Sequence, residues 1–193
     1  MEDNKWLKKY FNEIRGIFNI NNFGNLIIAA CKMLRGVFDE NKKIFFLGNG
    51  ASNIIASHAA LDYTNNLNIR AYSFDSVGML TAFANDFGYE QAMIRFLDFY
   101  MDNNDMLVLI SSSGQSMNLY NAGIAAHKKY NAKIITFTGF RKNNLISKLG
   151  NINFWINSNK YNIVEGLHNL LLTTMLDFMV KNVEVGVHGH EFK

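Results

Sequence analysis

The 193-residue chain contains no proline and only one cysteine, Cys31. A single cysteine cannot form a disulfide within the chain, which favours a reducing compartment such as the cytoplasm. We expect Cys31 to be a small buried residue in a helix. Because proline is absent, the ends of helices and strands must be inferred from hydrophobic periodicity and from clusters of glycine and polar residues.

The chain also has little net charge. Its 19 basic and 16 acidic residues leave a formal charge of +3, and the basic residues are scattered, which argues against a nucleic-acid partner. Residues 1–5 are too polar for a signal peptide, and no apolar run approaches the length of a membrane span. A hydrophobic fraction of 49% indicates a folded protein. We therefore expect a cytoplasmic protein that binds neither nucleic acid nor a membrane.

Segments typical of strands alternate with segments typical of helices. This order predicts an α/β protein, a three-layer α/β/α sandwich with a central parallel sheet. Two amphipathic helices precede the first strand, so we expect residues 1–193 to form one domain with residues 1–40 as an N-terminal helical extension. The predicted strands are 43–47, 68–74, 105–110, 133–138 and 153–156. The predicted helices are 5–18, 25–39, 52–63, 88–101, 117–130 and 163–180.

One strand ends in a cluster of hydroxyl residues. The apolar run 107–110 is followed by Ser111-Ser112-Ser113-Gly114-Gln115-Ser116, and a helix is predicted to begin at Met117. The start of a helix offers unpaired N–H groups and the positive end of its dipole, and serine hydroxyls add further hydrogen-bond donors. The segment therefore predicts an anion site, and phosphate is the anion most often held in this way.

Two further loops follow predicted strands and are rich in small residues. They are Gly48-Asn49-Gly50-Ala51-Ser52 and Thr136-Phe137-Thr138-Gly139. In a parallel sheet such loops meet at the carboxyl edge, where ligands bind. Neither loop has the Gly-Lys-Ser/Thr of a P-loop, and the first lacks the third glycine of the dinucleotide pattern. We therefore expect no nucleotide cofactor.

Imidazole and carboxylate groups occur together on two predicted helices. His58 lies four residues before Asp62, and Glu165 lies three residues before His168. Such pairs can bind a divalent metal or transfer protons, although an ordinary surface pair is the alternative for each. The segment 187–190, with two histidines, resembles a metal motif, but we expect it to be an ordinary frayed chain end.

Four segments together resemble the sugar isomerase (SIS) domain family, and within it the bacterial phosphoheptose isomerases. The resemblance extends from about residue 43 to residue 176, and Ala51 stands where the family usually has glycine. It implies aldose–ketose isomerisation of a phosphorylated sugar such as sedoheptulose 7-phosphate, in a homotetramer with sites between subunits. The segments that carry it are 48–52, 84–88, 110–116 and 136–139.

The resemblance also implies which residues bind the sugar phosphate. The phosphate would be held by hydroxyl groups of the two small-residue loops, and the sugar by neighbouring polar groups. The implied phosphate-binding residues are Ser52, Ser111, Ser112, Ser113 and Ser116, and the others are Asn49, Gly50 and Asp86.

The family's acid–base residues are only partly kept. His58 matches a family histidine, Asp62 replaces a glutamate, and Glu165 replaces a glutamine. Thr173 stands in place of the catalytic histidine, and threonine has no useful pKa near neutrality. The resemblance therefore predicts Asp62 as the catalytic base, with Glu165 or His168 as its partner. In this family these positions can bind zinc, which predicts His58, Asp62 and Glu165 as its ligands.

Two other functions are consistent with these replacements. A chain that keeps the phosphate pocket but lacks the acid–base pair could be a non-catalytic regulatory protein acting through a protein partner. A lyase or epimerase acting on another phospho-sugar is the third possibility, because SIS domains support several reactions and a fold does not determine a function.

Overall fold

Five parallel strands form the central sheet in the computed structural model, which describes residues 2–181. They are β1 (Lys43–Gly48), β2 (Arg70–Ser73), β3 (Met106–Ser111), β4 (Lys133–Thr138) and β5 (Ile152–Trp155). Their spatial order is β2-β1-β3-β4-β5, and each neighbouring pair is parallel. The chain therefore moves outward from β1 to β2 and then crosses back to β3, which places a topological switch point between β1 and β3.

Helices cover both faces of this sheet. They are α1 (Glu2–Ile17), α2 (Ile20–Asp39), α3 (Ala51–Leu67), α4 (Val77–Phe87), α5 (Tyr89–Tyr100), α6 (Met117–Tyr130) and α7 (Tyr161–Lys181), with a short 3-10 turn at Ile146–Lys148. Helices α2, α3 and α7 share one hydrophobic core with the sheet, and α5 and α6 share a second core on the opposite face. The predicted three-layer α/β/α sandwich is confirmed.

The side chains of the central strands alternate between the two cores. In β1, Ile44 and Phe46 point into the α3 side, whereas Phe45 and Leu47 point into the α5 side. All four are 1% exposed or less, as expected for a parallel strand covered on both faces. This burial explains why the strand reads as a continuous apolar run and not as an alternating one.

The first two helices differ in how they join the domain. Helix α2 contributes five buried residues, among them Leu34 and the expected buried Cys31, so it belongs to one of the two covering layers. Helix α1 has no buried residue. Its residue Glu13 contacts the rest of the domain, because it accepts a hydrogen bond from Ser158 (3.1 Å) and forms an ion pair with Lys160. The helical extension predicted for residues 1–40 is thus two helices with different degrees of burial.

The prediction of secondary structure missed helix α4. This helix begins at Val77 after the N-cap Ser76, whose hydroxyl accepts from the N–H of Met79 at 3.2 Å. No residue of α4 is fully buried, but Met79, Leu80 and Phe83 lie at helical spacing and pack, partly buried, against the core shared by α5 and α6, so this short helix carries an apolar stripe that the prediction overlooked. The bounds of α6 and β4 agree with the prediction, and the other helices and strands differ from it by a few residues.

Helix α7 corrects the expectation about long apolar segments. Its 21 residues are long and apolar enough to span a membrane, with a mean hydropathy of 1.3 over its most apolar stretch. Half of that stretch is buried inside the domain, where Leu171 and Met175 pack in the α3-side core. Core helices of water-soluble domains have the same composition, because the packed interior demands it.

Candidate functional site

Two loops meet at the carboxyl edge of the sheet, where β1 and β3 lie side by side. The loop after β1 brings Asn49 and Ser52, and the loop after β3 brings the residues 111–116. Together with residues of α7 they enclose a cavity of about 200 Å³. Its lining includes six of the predicted binding residues, namely Asn49, Ser52, Ser111, Ser112, Ser113 and Ser116, together with Glu165. The residues that the sequence predicts to bind a ligand are therefore brought together around one cavity.

Residues 111–116, which we call the serine loop, form a compact turn held by its own hydroxyl groups. Ser111 Oγ accepts from the N–H of Gly114 at 3.2 Å and lies 3.4 Å from Ser116 Oγ. Ser113 Oγ accepts from the N–H of Gln115 at 3.3 Å. Hydroxyl groups fixed in this way can still donate their own hydrogen atoms to a ligand, because each serine oxygen both donates and accepts.

Two helices begin at this cavity. Helix α3 starts after its N-cap Gly50, and α6 starts after its N-cap Ser116, and neither cap has a side-chain hydrogen bond. The N–H groups of both first turns and the positive ends of both dipoles therefore favour an anion. Gly50 and Gly114 have φ values of +55° and +67°, which glycine adopts at little cost. Gly50 shapes the loop through its backbone and is not among the lining residues.

Glu165 introduces a negative charge beside these donors. Ser112 Oγ donates to Glu165 Oε1 at 3.3 Å, and the Glu165 side chain is half-buried. None of the residues found to line the cavity is basic. The site therefore combines neutral donors for an anion with one carboxylate that can accept a proton, and both groups are needed to bind and deprotonate a phosphorylated substrate.

Asn49 belongs to a network that the sequence gave no sign of. Its Oδ1 accepts from Asn118 Nδ2 at 2.9 Å and from the hydroxyl of Tyr89 at 2.8 Å, and its Nδ2 donates to Asn118 Oδ1 at 3.0 Å. Asn118 is buried and lies in the first turn of α6, whereas Tyr89 begins α5. Tyr161 also lines the cavity, with its ring edge-on to Phe140 at 4.9 Å between centroids. Only the tertiary structure brings these residues to the site.

His58 and Asp62 lie in a separate groove between α3 and α7. His58 Nε2 is 3.1 Å from Asp62 Oδ2, so the two side chains meet as the spacing predicts. The groove is also lined by Asn169 and Thr173. Thr173 Oγ1 donates to the carbonyl oxygens of Asn169 and Leu170, at 3.2 and 3.0 Å, and so bonds to its own helix.

The predicted zinc ligands are divided between these two places. His58 and Asp62 share the groove, whereas Glu165 lines the cavity beside Ser112. Within residues 2–181, no three His, Cys, Asp or Glu side chains are close enough to hold a metal ion. A single chain thus offers two of the three predicted donors at one point, which does not match the closed donor set of a zinc site.

The structure places His168 in the protein core. Its side chain has no exposed surface, its Nε2 lies 3.1 Å from the carbonyl oxygen of Thr138, and its ring is edge-on to Phe137. Nδ1 is buried and has no hydrogen-bond partner within residues 2–181, and burial lowers the pKa of the imidazole to about 4. At neutral pH the ring is therefore neutral, and His168 is not among the residues found to line the cavity.

Asp86 lies on the exposed surface of α4. Its carboxylate accepts from Asn85 Nδ2 at 3.0 Å, and Asp86 is not among the residues found to line the cavity. The segment 84–88 instead reaches the site through the residue that follows it, because Tyr89 bonds to Asn49. The histidine-containing segment 187–190 lies outside the described residues.

Comparison with known proteins gives the family. Residues 9–139 match the SIS domain family. The phosphoheptose isomerase of Buchnera aphidicola subsp. Schizaphis graminum is 33% identical over 140 residues, which cover 70% of this chain and 68% of that protein. The phosphoheptose isomerase of Histophilus somni is 34% identical over 119 residues, covering 59% and 60% of the two chains. Helix α7, with Glu165 and Thr173, lies beyond the segment matched to the family.

Solved structures share the whole fold. A phosphoheptose isomerase from Neisseria gonorrhoeae superposes with a TM-score of 0.84 at 23% identity, covering 95% of this chain and 100% of the other. The phosphoheptose isomerase from Francisella tularensis gives a TM-score of 0.83 at 22% identity, covering 94% and 97%. These likenesses include the region of α7 that the family match leaves out. By its sequence match over residues 9–139, and with a fold that agrees, the chain belongs to the SIS domain family.

Proposed function

We propose that this protein is a phospho-sugar aldose–ketose isomerase of the phosphoheptose isomerase type, with a substrate like sedoheptulose 7-phosphate. One observation carries the proposal: the serine loop, two helix N-termini and the Glu165 carboxylate meet in one cavity at the β1–β3 switch point. The names of the relatives favour an isomerase over a non-catalytic regulatory protein. They equally give no support to a lyase or an epimerase.

The phosphate group fits the serine loop. Ser111 and Ser112 are buried and Ser113 and Ser116 are partly buried, so a bound phosphate would exchange water for hydroxyl and N–H donors at short range. No basic side chain is found in the lining, and the dipoles of α3 and α6 supply the positive potential instead. Holding the phosphate there fixes the sugar relative to the rest of the cavity.

Isomerisation needs a base and a stabilised oxyanion. The base removes a proton from the hydroxyl-bearing carbon next to the carbonyl, and the electron pair moves to the carbonyl oxygen to give an enediolate. The hydroxyl proton of the neighbouring carbon moves to the former carbonyl oxygen, and the base returns its proton to the former carbonyl carbon, so ketose and aldose interconvert without any net oxidation. Glu165 is the carboxylate beside the phosphate-binding donors. Neutral N–H and hydroxyl donors of the cavity can stabilise the enediolate oxygen. Asp62, predicted as the base, lies in the α3–α7 groove and is the second candidate.

Association of several copies of the chain would bring the α3–α7 groove of one copy near the cavity of another. Exposed apolar side chains occur on α1 and on the outer face of α3, where they flank His58. Large exposed apolar patches mark interfaces. We infer that copies of the chain pack together there as a homotetramer, in the cytoplasm. The apolar residues are Trp6, Leu7 and Phe11 on α1, with Ile54 and Leu61 on α3.

Zinc binding stays a prediction, because one chain brings only two of the three predicted ligands together. His58 and Asp62 can supply one nitrogen and one oxygen, and a third ligand must come from another side chain. Glu165 would reach such a site only from a different position or from a second copy. With Glu165 as the base, the proton transfers proposed above require only the side chains of the cavity.

The test is isomerase activity of the purified full chain. Sedoheptulose 7-phosphate and several shorter sugar phosphates are incubated with the protein, with and without added zinc, and the aldose products are followed by NMR. We expect conversion of at least one phosphorylated ketose, and its loss when Ser113 and Ser116 are both replaced by alanine. Sugar-phosphate binding without turnover of any substrate would support the regulatory alternative and refute the isomerase.

A further inference from the structure

The hydrogen bonds that the Asn49 side chain forms within the protein leave it able to donate to a ligand but not to accept from one. Its Oδ1 accepts from both Asn118 and Tyr89, at 2.9 and 2.8 Å, so both lone pairs of that oxygen are used. One hydrogen of its Nδ2 goes to Asn118 Oδ1. The second hydrogen of Nδ2 is the one polar position of the side chain that no group within residues 2–181 occupies, and Asn49 lines the cavity.

The neighbourhood of Asn118 determines which way the two amides face. Asn118 Nδ2 lies 3.6 Å from Met93 Sδ in a buried position. A thioether sulfur accepts a hydrogen bond weakly and donates none, so this contact favours the nitrogen over the oxygen at that position. The reciprocal pairing then requires Asn49 to direct its oxygen at Asn118 Nδ2. The buried contact between Asn118 and Met93 therefore sets the orientation of Asn49, although Met93 does not line the cavity.

Burial makes this orientation costly to change. Asn118 is 3% exposed, and both hydrogens of its amide are engaged, one with Asn49 and one with Met93. Turning the Asn49 amide over would bring two oxygens face to face and two N–H groups face to face. Buried polar groups that lose their partners are expensive, so the pair has one stable arrangement.

We infer that Asn118 and Tyr89 are positioning residues, which make Asn49 a fixed hydrogen-bond donor to an oxygen of the sugar part of the ligand. The inference rests on the proposed function, in which the serine loop holds the phosphate. Asn49 lies in the loop after β1, outside the serine loop that is assigned to the phosphate, and we therefore assign its free N–H to the part of the ligand beyond the phosphate. Its partner is an acceptor oxygen, such as a carbonyl or the enediolate oxygen formed from it.

The inference also explains why the segment 84–88 belongs to the site although Asp86 is exposed. Helix α5 begins directly after Gly88, which places Tyr89 where its hydroxyl reaches Asn49. Residues at the start of α5 and at the start of α6 thus both form hydrogen bonds to the side-chain amide of Asn49 in the β1 loop. Fixing the orientation of this amide is one function that explains both contacts.

The test compares two ligands by isothermal titration calorimetry on the full chain. Tyr89→Phe removes one hydroxyl from a half-exposed side chain, so the fold should survive. We expect its affinity for sedoheptulose 7-phosphate to fall about fivefold, as for one lost hydrogen bond, with unchanged affinity for inorganic phosphate. The matched control is Tyr72→Phe. Tyr72 lies on strand β2 and stacks on Phe45 of β1, so this variant should change neither affinity.

A second variant addresses the polarity of the donor. Asn49→Asp replaces the free N–H by an acceptor, and the preference for the sugar phosphate over inorganic phosphate should disappear. An equal loss for both ligands in Tyr89→Phe, or no loss for either, would overturn the inference. Because these are binding measurements, they give a result even if the protein shows no isomerase turnover, so the inference and the proposed function can fail separately.

Discussion

Ser112 Oγ donates a hydrogen bond to Glu165 Oε1 across 3.3 Å, which joins the serine loop to helix α7. The contact places a carboxylate within a cavity whose other polar groups favour an anion. A negative charge at this point weakens phosphate binding, so its presence needs a compensating benefit, and proton transfer is the benefit that the chemistry of the cavity offers.

Replacing Glu165 by glutamine should therefore have opposite effects on binding and on turnover. Inorganic phosphate should bind about fivefold more tightly, since unit charges about 4 Å apart repel by ~1 kcal/mol in water. If Glu165 is the base, kcat should fall by about 100-fold or more. Calorimetry measures the first effect and steady-state kinetics the second.

Two companion variants make this result specific. Glu90→Gln removes a carboxylate from the exposed first turn of α5 and should leave both quantities unchanged. Asp62→Asn tests the alternative base in the α3–α7 groove. Normal turnover in Glu165→Gln together with a large loss in Asp62→Asn would assign the base to Asp62.

Replacing Thr173 by histidine should create a metal site. The groove already brings His58 Nε2 and Asp62 Oδ2 within 3.1 Å, and Thr173 lines the same groove without a bond to either. A second imidazole supplies the third donor that residues 2–181 do not otherwise gather. We expect zinc titration to show micromolar or tighter binding in Thr173→His and weaker binding in the natural sequence.

The neighbouring residue provides the control for this variant. Thr174 is also partly buried on α7 but is not found among the groove residues, so Thr174→His adds the same imidazole at a different place. Zinc affinity that rises equally in both variants would show that the groove is not responsible.

Local patterns were enough to predict most of the fold and one half of the site. Buried strands such as β3 are short apolar runs, and the serine loop lies where a strand meets a helix, so both can be recognised within about ten residues. The pairing of His58 with Asp62 also follows from helical spacing alone. These features depend on residues that are close in the sequence.

One other feature of the site depends on a contact between distant segments. Asn118 reads as one more polar residue near a helix start, and only its bond to Asn49, 69 residues away, reveals its role. His168, by contrast, lies on the apolar stripe of α7, at helical spacing from Val164 and Leu171, so the sequence did indicate its burial and the pairing with Glu165 overlooked that signal. Helix α4 has a short apolar stripe of its own, but its residues are only partly buried at the edge of the second core. For Asn118 the information lies in the packing and not in the local pattern.

The turn at Gly114 should be intolerant of any side chain. Its φ is +67°, and a Cβ there would overlap the side chain of Asn144. Asn144 cannot move aside easily, because it donates to the Arg141 carbonyl at 2.9 Å and accepts from the Ser147 N–H at 2.8 Å. We expect Gly114→Ala to lower the free energy of unfolding by about 2 kcal/mol and to weaken phosphate binding.

Gly78 is the matched position for that variant. It lies in helix α4, and a Cβ there would meet no atom within 4 Å. Gly78→Ala should raise stability slightly, by about 0.5 kcal/mol or somewhat more, because alanine restricts the unfolded chain and favours the helix. Urea unfolding measures the free energy of unfolding of both variants. An equal change in the two would contradict the proposal that the serine loop requires glycine at position 114.

The buried neutral imidazole of His168 should make stability depend on pH. Burial lowers its pKa in the folded protein to about 4, against an ordinary value of 6.5. Between these values the unfolded chain binds a proton and the folded protein does not, so the contribution is present above about pH 6.5 and is lost as the pH falls towards 4. Between pH 7 and pH 5 the loss from this one residue should be about 2 kcal/mol.

Replacing His168 by glutamine isolates this contribution from all other titrating groups. Glutamine keeps an N–H donor for the Thr138 carbonyl but cannot be protonated in this range. The free energy of unfolding, measured in urea at pH 7 and pH 5, should therefore decrease less in His168→Gln than in the natural sequence, by about 2 kcal/mol. His127→Gln, at an exposed position of α6, should retain the full decrease. If His168→Gln lost as much stability as the natural protein, the proton would already be bound to His168 in the folded state, and the imidazole could not be the neutral core residue that its contacts indicate.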